Sequence, residues 1–133
     1  MGNSTPGADG VRWVFAAGLD DIPEGTVRSA TVDGMRLALV KREGEVYALD
    51  AVCPHQQGPL DQGELWRGAV ECPWHRFRYD PVTGANIYPA NVYPDDAPEL
   101  KRRDLRPAQV FPVEVRGGKI FVGLPAEAPA VRK

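Results

Sequence analysis

Both cysteines and both histidines of this 133-residue chain fall in two short clusters, Cys53-Pro54-His55 and Cys72-Pro73-Trp74-His75. Residues 56 to 71, sixteen positions, separate them, so the pattern is C-x-H, sixteen residues, C-x-x-H. Within each pair the two side chains are close enough to reach one inorganic centre, and any fold of this chain has to satisfy that geometry twice. Two thiolates and two imidazoles so arranged suit a two-iron, two-sulfur cluster, and hence an electron carrier.

The ligand types set the chemistry. A thiolate brings one negative charge to iron and a neutral imidazole brings none. A cluster on four thiolates accepts an electron at low potential, and exchanging two thiolates for imidazoles raises it. Mixed-ligand centres of this kind span about −150 to +300 mV, against about −400 mV for plant-type ferredoxins. In each loop the cysteine is expected to meet one iron and the histidine the other, so that each loop bridges both metals. Pro54 and Pro73 stiffen the loops, while Gly58 and Gly84 supply turns. The competing reading is a single structural zinc on two Cys and two His. Zinc sites more often pair Cys with Cys and His with His along the chain, so the mixed pairs argue against it.

The rest of the chain reads as all-β. Thirteen prolines and fourteen glycines make about a fifth of the residues, which favours many short strands joined by tight turns. Strands are expected at 11–16, 27–33, 35–41 and 45–50, broken by turn signals at Pro23 to Thr26, Asp33-Gly34 and Glu43-Gly44. On this reading the first fifty residues form one antiparallel meander. Short strands at 69–71 and 77–80 would flank the second cluster. Residues 110–115 and 119–123 would close a hairpin around Arg116-Gly117-Gly118. Residues 1–10 are polar and Gly-rich and are expected to be disordered, with 126–133 a loose tail. Residues 86–109 carry four prolines and the charged run ELKRRDLR, and they read as an insert with a short helix near 98–103. The insert could cover one flank of the cluster, form a partner surface, or be a variable loop. Net charge is −2, so no basic patch argues for nucleic acid. No apolar run approaches the ~20 residues of a membrane span, and no export signal is visible. A reducing, cytoplasmic setting is expected.

The two clusters sit in the stretches CPHQQGPLDQGEL and CPWHRFRYDPVTG. These resemble the two cluster-binding boxes of the Rieske [2Fe-2S] family, including Gly-Pro-Leu after the first pair and Asp-x-x-Thr-Gly after the second. The resemblance covers most of residues 11–124. It implies a [2Fe-2S] cluster with Cys53 and Cys72 as thiolate ligands and His55 and His75 as imidazole ligands. It also implies an all-β, Rieske-like fold of antiparallel sheets, a sandwich or partly open barrel, with a small cluster-binding subdomain at about 51–85.

Departures from the family pattern are informative. Respiratory and photosynthetic members carry an extra cysteine in each box, joined as a disulfide; here those positions are Gly58 and Trp74. Their serine near a bridging sulfide is matched by Phe77, whereas their sulfur-bonding tyrosine is matched by Tyr79. One sulfur hydrogen bond kept and one lost implies a potential in the lower or middle part of the mixed-ligand range. Arg76 stands where the family usually has glycine, and its side chain disfavours a left-handed backbone, so a different local loop is expected. With Arg67 and Arg78 it could make the tip basic and suited to an acidic partner, or all three could be solvated. Trp74 is expected to shield the cluster and Trp13 to pack in the core.

The resemblance implies a stand-alone Rieske ferredoxin, taking one electron from a reductase and passing it to a terminal oxygenase. A small subunit of a larger oxidoreductase, nitrite-reductase-like or arsenite-oxidase-like, fits the sequence too. A Rieske oxygenase would need a further two-histidine, one-carboxylate iron site, and both histidines are already committed. No catalytic residues are expected, so the chain should be an electron-transfer component that depends on partner proteins.

Overall fold

The computed structural model describes residues 11–54, 58–74, 76–88, 90 and 106–125. These form eleven strands and two single 3-10 turns, Leu19–Asp21 and Leu60–Gln62, with no α-helix among the described residues. The strands are β1 (Val11–Gly18), β2 (Thr26–Val32), β3 (Met35–Arg42), β4 (Glu45–Asp50), β5 (Glu64–Trp66), β6 (Ala69–Glu71), β7 (Arg78–Tyr79), β8 (Asn86–Tyr88), β9 (Val110–Phe111), β10 (Val113–Arg116) and β11 (Lys119–Pro125). They make three antiparallel sheets, ordered β1-β11-β10, β2-β3-β4-β9 and β5-β6-β7-β8. The all-β, antiparallel expectation holds. The insert's expected helix near 98–103 lies outside the described residues, as do the two termini.

Two-residue turns carry much of this topology. Asp33-Gly34, Glu43-Gly44 and Arg67-Gly68 each place both residues at positive φ, the mirror-image geometry whose twist matches that of the flanking strands. The first two were legible as Asp-Gly and Glu-Gly. The third was not, because Arg is a rare first residue in such a turn, and with it went strand β5. The Gly117-Gly118 turn between β10 and β11 also has positive φ at both residues, in the place the sequence indicated. Pro112 separates β9 from β10, since proline cannot donate to a ladder; one strand was expected there.

The expected four-strand opening meander is corrected. β2, β3 and β4 pair in sequence, but β1 pairs with β11, near the other end of the chain. Trp13 lies opposite Gly123 in that ladder. A Cβ at position 123 would come within 3.2 Å of the indole. Trp13 therefore packs across the bare backbone of its partner strand and stays half-buried, instead of lying in the core.

β3 explains how the fold reaches the site. Its residues Met35, Leu37 and Leu39 face a core shared with Ile120, Val122 and Leu124 of β11. Its alternate residues Ala38 and Val40 face a second core with Leu49, Leu60, Val70, Tyr79 and both cysteines. The β2-β3-β4-β9 sheet is thus a middle layer covered on both faces. That is why the strand MRLALVK is nearly continuous in apolar residues where a one-sided strand would alternate. Leu49, Leu60 and Val70 are fully buried in the second core, each contributing about 1.5–3 kcal/mol of transfer free energy.

One polar clamp joins the layers. Asp61, in the turn before β5, accepts two hydrogen bonds from Arg36 of β3, Nε at 2.7 Å and Nη2 at 3.2 Å. Its side chain is 2% exposed, against 49% for Arg36. The hydrogen bond to Asp61 holds the Arg36 pKa above its ordinary value, so this contribution is complete at any pH below the unfolded-state value and persists through neutrality. Arg36→Ala would leave a buried carboxylate without its counter-charge. The expected cost is about 2–3 kcal/mol, read as a lower urea midpoint with an unchanged slope. A midpoint equal to wild type would show that water replaces the guanidinium without loss.

Candidate metal centre

Each cysteine opens a loop of the same build. The Cys53 N–H donates to the Gly58 carbonyl at 2.8 Å, and the Cys72 N–H donates to the Phe77 carbonyl at 2.8 Å. Both loops are therefore closed by a bond from residue i to residue i+5, and each encloses one histidine in sequence. His55 and His75 themselves lie outside the described residues. Among the described residues, accordingly, no group of three or more metal-ligating side chains converges.

What is described is the cysteine half of the candidate site. Cys53 and Cys72 are both 0% exposed, and they are not joined by a disulfide. Their sulfurs lie within hydrogen-bonding reach of one another; that bond, and then burial, push the Cys72 pKa well above its ordinary value. Two buried, mutually opposed thiols are poor nucleophiles but a ready metal site, since coordination supplies the positive charge that deprotonates them.

Donors are already aimed at both sulfurs. The Tyr79 hydroxyl is 3.2 Å from Cys53 Sγ, and the Trp74 backbone N–H is 3.4 Å from Cys72 Sγ. Tyr79 is fully buried. Burial, and then the contact with Cys53, push its pKa well up, so it stays a neutral O–H. Close approach matters on the other side. A Cβ at Gly58 would lie 2.9 Å from Cys72 Sγ and 3.0 Å from the Trp74 ring. Trp74 therefore occupies the space above Gly58, although the residue is 49% exposed and shields that flank only in part. Buried paired thiols, donors directed at sulfur and a bare glycine beside one of them all fit an iron–sulfur cluster. When bound, the cluster supplies reversible one-electron storage.

The arginines are placed differently from expectation. Arg76 adopts φ +60°, so the loop keeps the left-handed turn that glycine would have eased. Contact of Arg76 Nη1 with Glu71 Oε1 at 3.4 Å helps offset the cost, which is about 1–2 kcal/mol for a residue with a Cβ. Arg78 donates to Glu71 at 2.9 Å and lies between the rings of Trp66 and Tyr88, at 3.6 and 5.1 Å. Arg67 stacks on Trp66 as well. Glu71 is 9% exposed and answers the charge of Arg78 at 2.9 Å and of Arg76 at 3.4 Å, so a basic tip would rest on the two exposed arginines, Arg67 and Arg76.

Sequence reasoning missed three contributors. Asn86 and Tyr88 lie in β8, a strand of this small sheet that falls at the start of the proline-rich stretch 86–109, where the sequence shows no strand period. Arg106, at the far end of that insert, donates to the Pro54 carbonyl at 2.9 Å. The Ala108 N–H donates to Gly84 and the Asp50 N–H to Gln109. The returning segment is thus tied to the first cysteine loop, to the end of β4 and to the turn at Gly84 that follows β7. No local signal announced this, because it depends on a contact 52 residues apart.

The family model for the Rieske [2Fe-2S] domain matches residues 12–94, and the chain belongs to that family. It is 34% identical over 113 residues to the ferredoxin component of the naphthalene 1,2-dioxygenase system of Pseudomonas aeruginosa, covering 85% of this chain and 96% of the relative. It is 32% identical over 126 residues to the ferredoxin component of the alkene monooxygenase system of Xanthobacter autotrophicus, covering 92% of each. Among solved structures it is similar to the ferredoxin of carbazole 1,9a-dioxygenase from Nocardioides aromaticivorans, with a TM-score of 0.68 and 29% identity over 83% of this chain and 95% of that one.

Tyr79→Phe removes a hydrogen bond to a sulfur and should lower the reduction potential. Loss of about 1.4 kcal/mol, near the low end for a bond to a charged group, corresponds to about 60 mV for one electron. A protein-film or dye-mediated titration showing no shift would mean that the hydroxyl does not reach the sulfur in the loaded protein.

Proposed function

We propose that the chain is a stand-alone electron carrier that accepts one electron from a reductase and delivers it to a terminal oxygenase. Cys53 and Cys72 would hold one iron and His55 and His75 the other, with Tyr79 and Trp74 tuning the sulfurs. The observation that carries this reading is the pair of fully buried cysteine sulfurs, each with a donor within 3.4 Å. A chain whose relatives over nearly its whole length are ferredoxin components favours this over a fixed subunit of a nitrite-reductase-like complex. Two buried cysteines without a disulfide suit a reducing compartment, and we place the protein in the cytoplasm. No helix among the described residues is long and apolar enough to cross a membrane.

Electron delivery needs little from the protein beyond a rigid, low-dielectric seat. The second core supplies it, because both sulfurs pack among Leu49, Leu60 and Val70. The test is an EPR spectrum of the dithionite-reduced protein combined with a redox titration. A mixed-ligand cluster spectrum and a potential in the lower or middle part of the range of about −150 to +300 mV are expected. Purified protein should show no substrate turnover alone and should support it when a reductase and an oxygenase are added. A value near +300 mV would refute the reading of the sulfur hydrogen bonds, and turnover without partners would refute the carrier role.

A further inference from the structure

Asn86 stands directly opposite Tyr79 in the β7–β8 ladder, so the two side chains leave the sheet on the same face. Asn86 Oδ1 accepts the Ala90 N–H at 3.1 Å. An amide has its acceptor at one end and its donors at the other, so this bond fixes which end points away from Ala90. That end, Nδ2, is buried and is the one such side-chain polar atom among the described residues without a hydrogen-bond partner. A buried donor kept unpaired asks for a functional reason.

We propose that Asn86 is a positioning residue for the sulfur hydrogen bond, its Nδ2–H facing Tyr79 Oη from the acceptor side and leaving the O–H to be donated to Cys53 Sγ. The inference rests on Cys53 being a cluster ligand. A phenol has one proton to donate and can rotate it. With a donor-only neighbour on the oxygen, the proton has one useful acceptor left, which is the sulfur. Negative charge arriving on the sulfur then strengthens the O–H bond to it. Through the shared oxygen it also draws in the amide donor, as hydrogen-bond chains polarise one another. The unspent Nδ2 donor is thus held in reserve for the charged state of the sulfur.

The experiment is a redox titration of the loaded protein with EPR, on Asn86→Leu, Asn86→Asp, Tyr79→Phe and the Asn86→Leu/Tyr79→Phe pair. Tyr79→Phe should lower the reduction equilibrium constant about tenfold, which is about 59 mV. Asn86→Leu should lower it about two- to threefold, the low end for a net neutral hydrogen bond, and should add nothing once Tyr79 is Phe. Asn86→Asp keeps the acceptor for Ala90 but turns an acceptor toward the tyrosine. It should draw the O–H off the sulfur and cost about as much as Tyr79→Phe. An Asn86→Leu shift of equal size in both backgrounds overturns the inference, as does no shift with the spectrum intact. If Asn86→Leu loses the cluster, Asn86→Asp decides, and an unchanged potential or loss of the cluster there also overturns it. Wild-type protein without a mixed-ligand spectrum would instead overturn the ligand assignment, so the two failures are separable.

Discussion

Cys72→Ser is expected to abolish cluster retention while leaving the larger sheets folded. The serine oxygen is a harder, more basic donor than a thiolate and a poor match for iron–sulfur chemistry. It also surrenders the Trp74 N–H contact at its present length, because that bond is set by sulfur's radius. Losing a partner that merely supports a ligand costs 10–100-fold in metal affinity as a rule, so losing Cys72, if it holds the cluster as proposed, should exceed about 100-fold. Iron and acid-labile sulfide per chain should fall near zero after desalting. The core between the β1-β11-β10 sheet and the middle layer contains neither cysteine, so far-UV dichroism should keep its strand signature. Melting of the second core, where both sulfurs sit, should come earlier in urea. Cys72→Ser protein that holds wild-type iron with an unchanged spectrum would remove Cys72 from the ligand set.

The second large effect is steric and comes from a residue without chemistry. Gly63 has φ −84°, a backbone that alanine adopts freely, so no conformational argument separates the two. Space does. A Cβ at position 63 would lie 2.0 Å from the Glu71 carbonyl oxygen and 3.2 Å from that of Leu60. Both are backbone atoms and neither can swing aside. Position 63 precedes the Glu64–Glu71 pairing that opens the β5–β6 ladder, and Glu71 precedes Cys72. Gly63→Ala must therefore either part this ladder or push the cysteine. Overpacking in well-packed sites costs about 1–3 kcal/mol, and a backbone-on-backbone clash of this depth should exceed that, at about 3 kcal/mol or more. The urea midpoint should drop accordingly and cluster content should drop with it. Retention of both would mean that the turn from Leu60 to Gln62 can shift as a unit.

How much of this was readable beforehand differs by element. Short-range features were. The Asp33-Gly34 hairpin, the β3–β4 pair and the closing Gly-Gly turn are each decided by residues a few positions apart. So was the pairing of Tyr79 with a cysteine sulfur, once the resemblance supplied the role. The partner of β1 was not legible, because nothing in VRWVFA distinguishes β2 from a strand a hundred residues away. Strand β8 hid in a proline-rich stretch where no period shows, and it forms only because β7 offers an open edge. Arg76 was misread for a related reason. The local cost of a left-handed arginine is modest, and contact with Glu71 across the loop helps offset it.

Residue identity and spacing along the chain were enough to point to the redox chemistry, since the charge that two thiolates and two imidazoles would bring to a cluster is set before any folding. The burial of both sulfurs, the donors that reach them and the clash-limited seat around Gly58 and Gly63 had to await the packed molecule. Those properties depend on atoms brought together from distant segments, where distances of a few tenths of an ångström separate a contact from a collision.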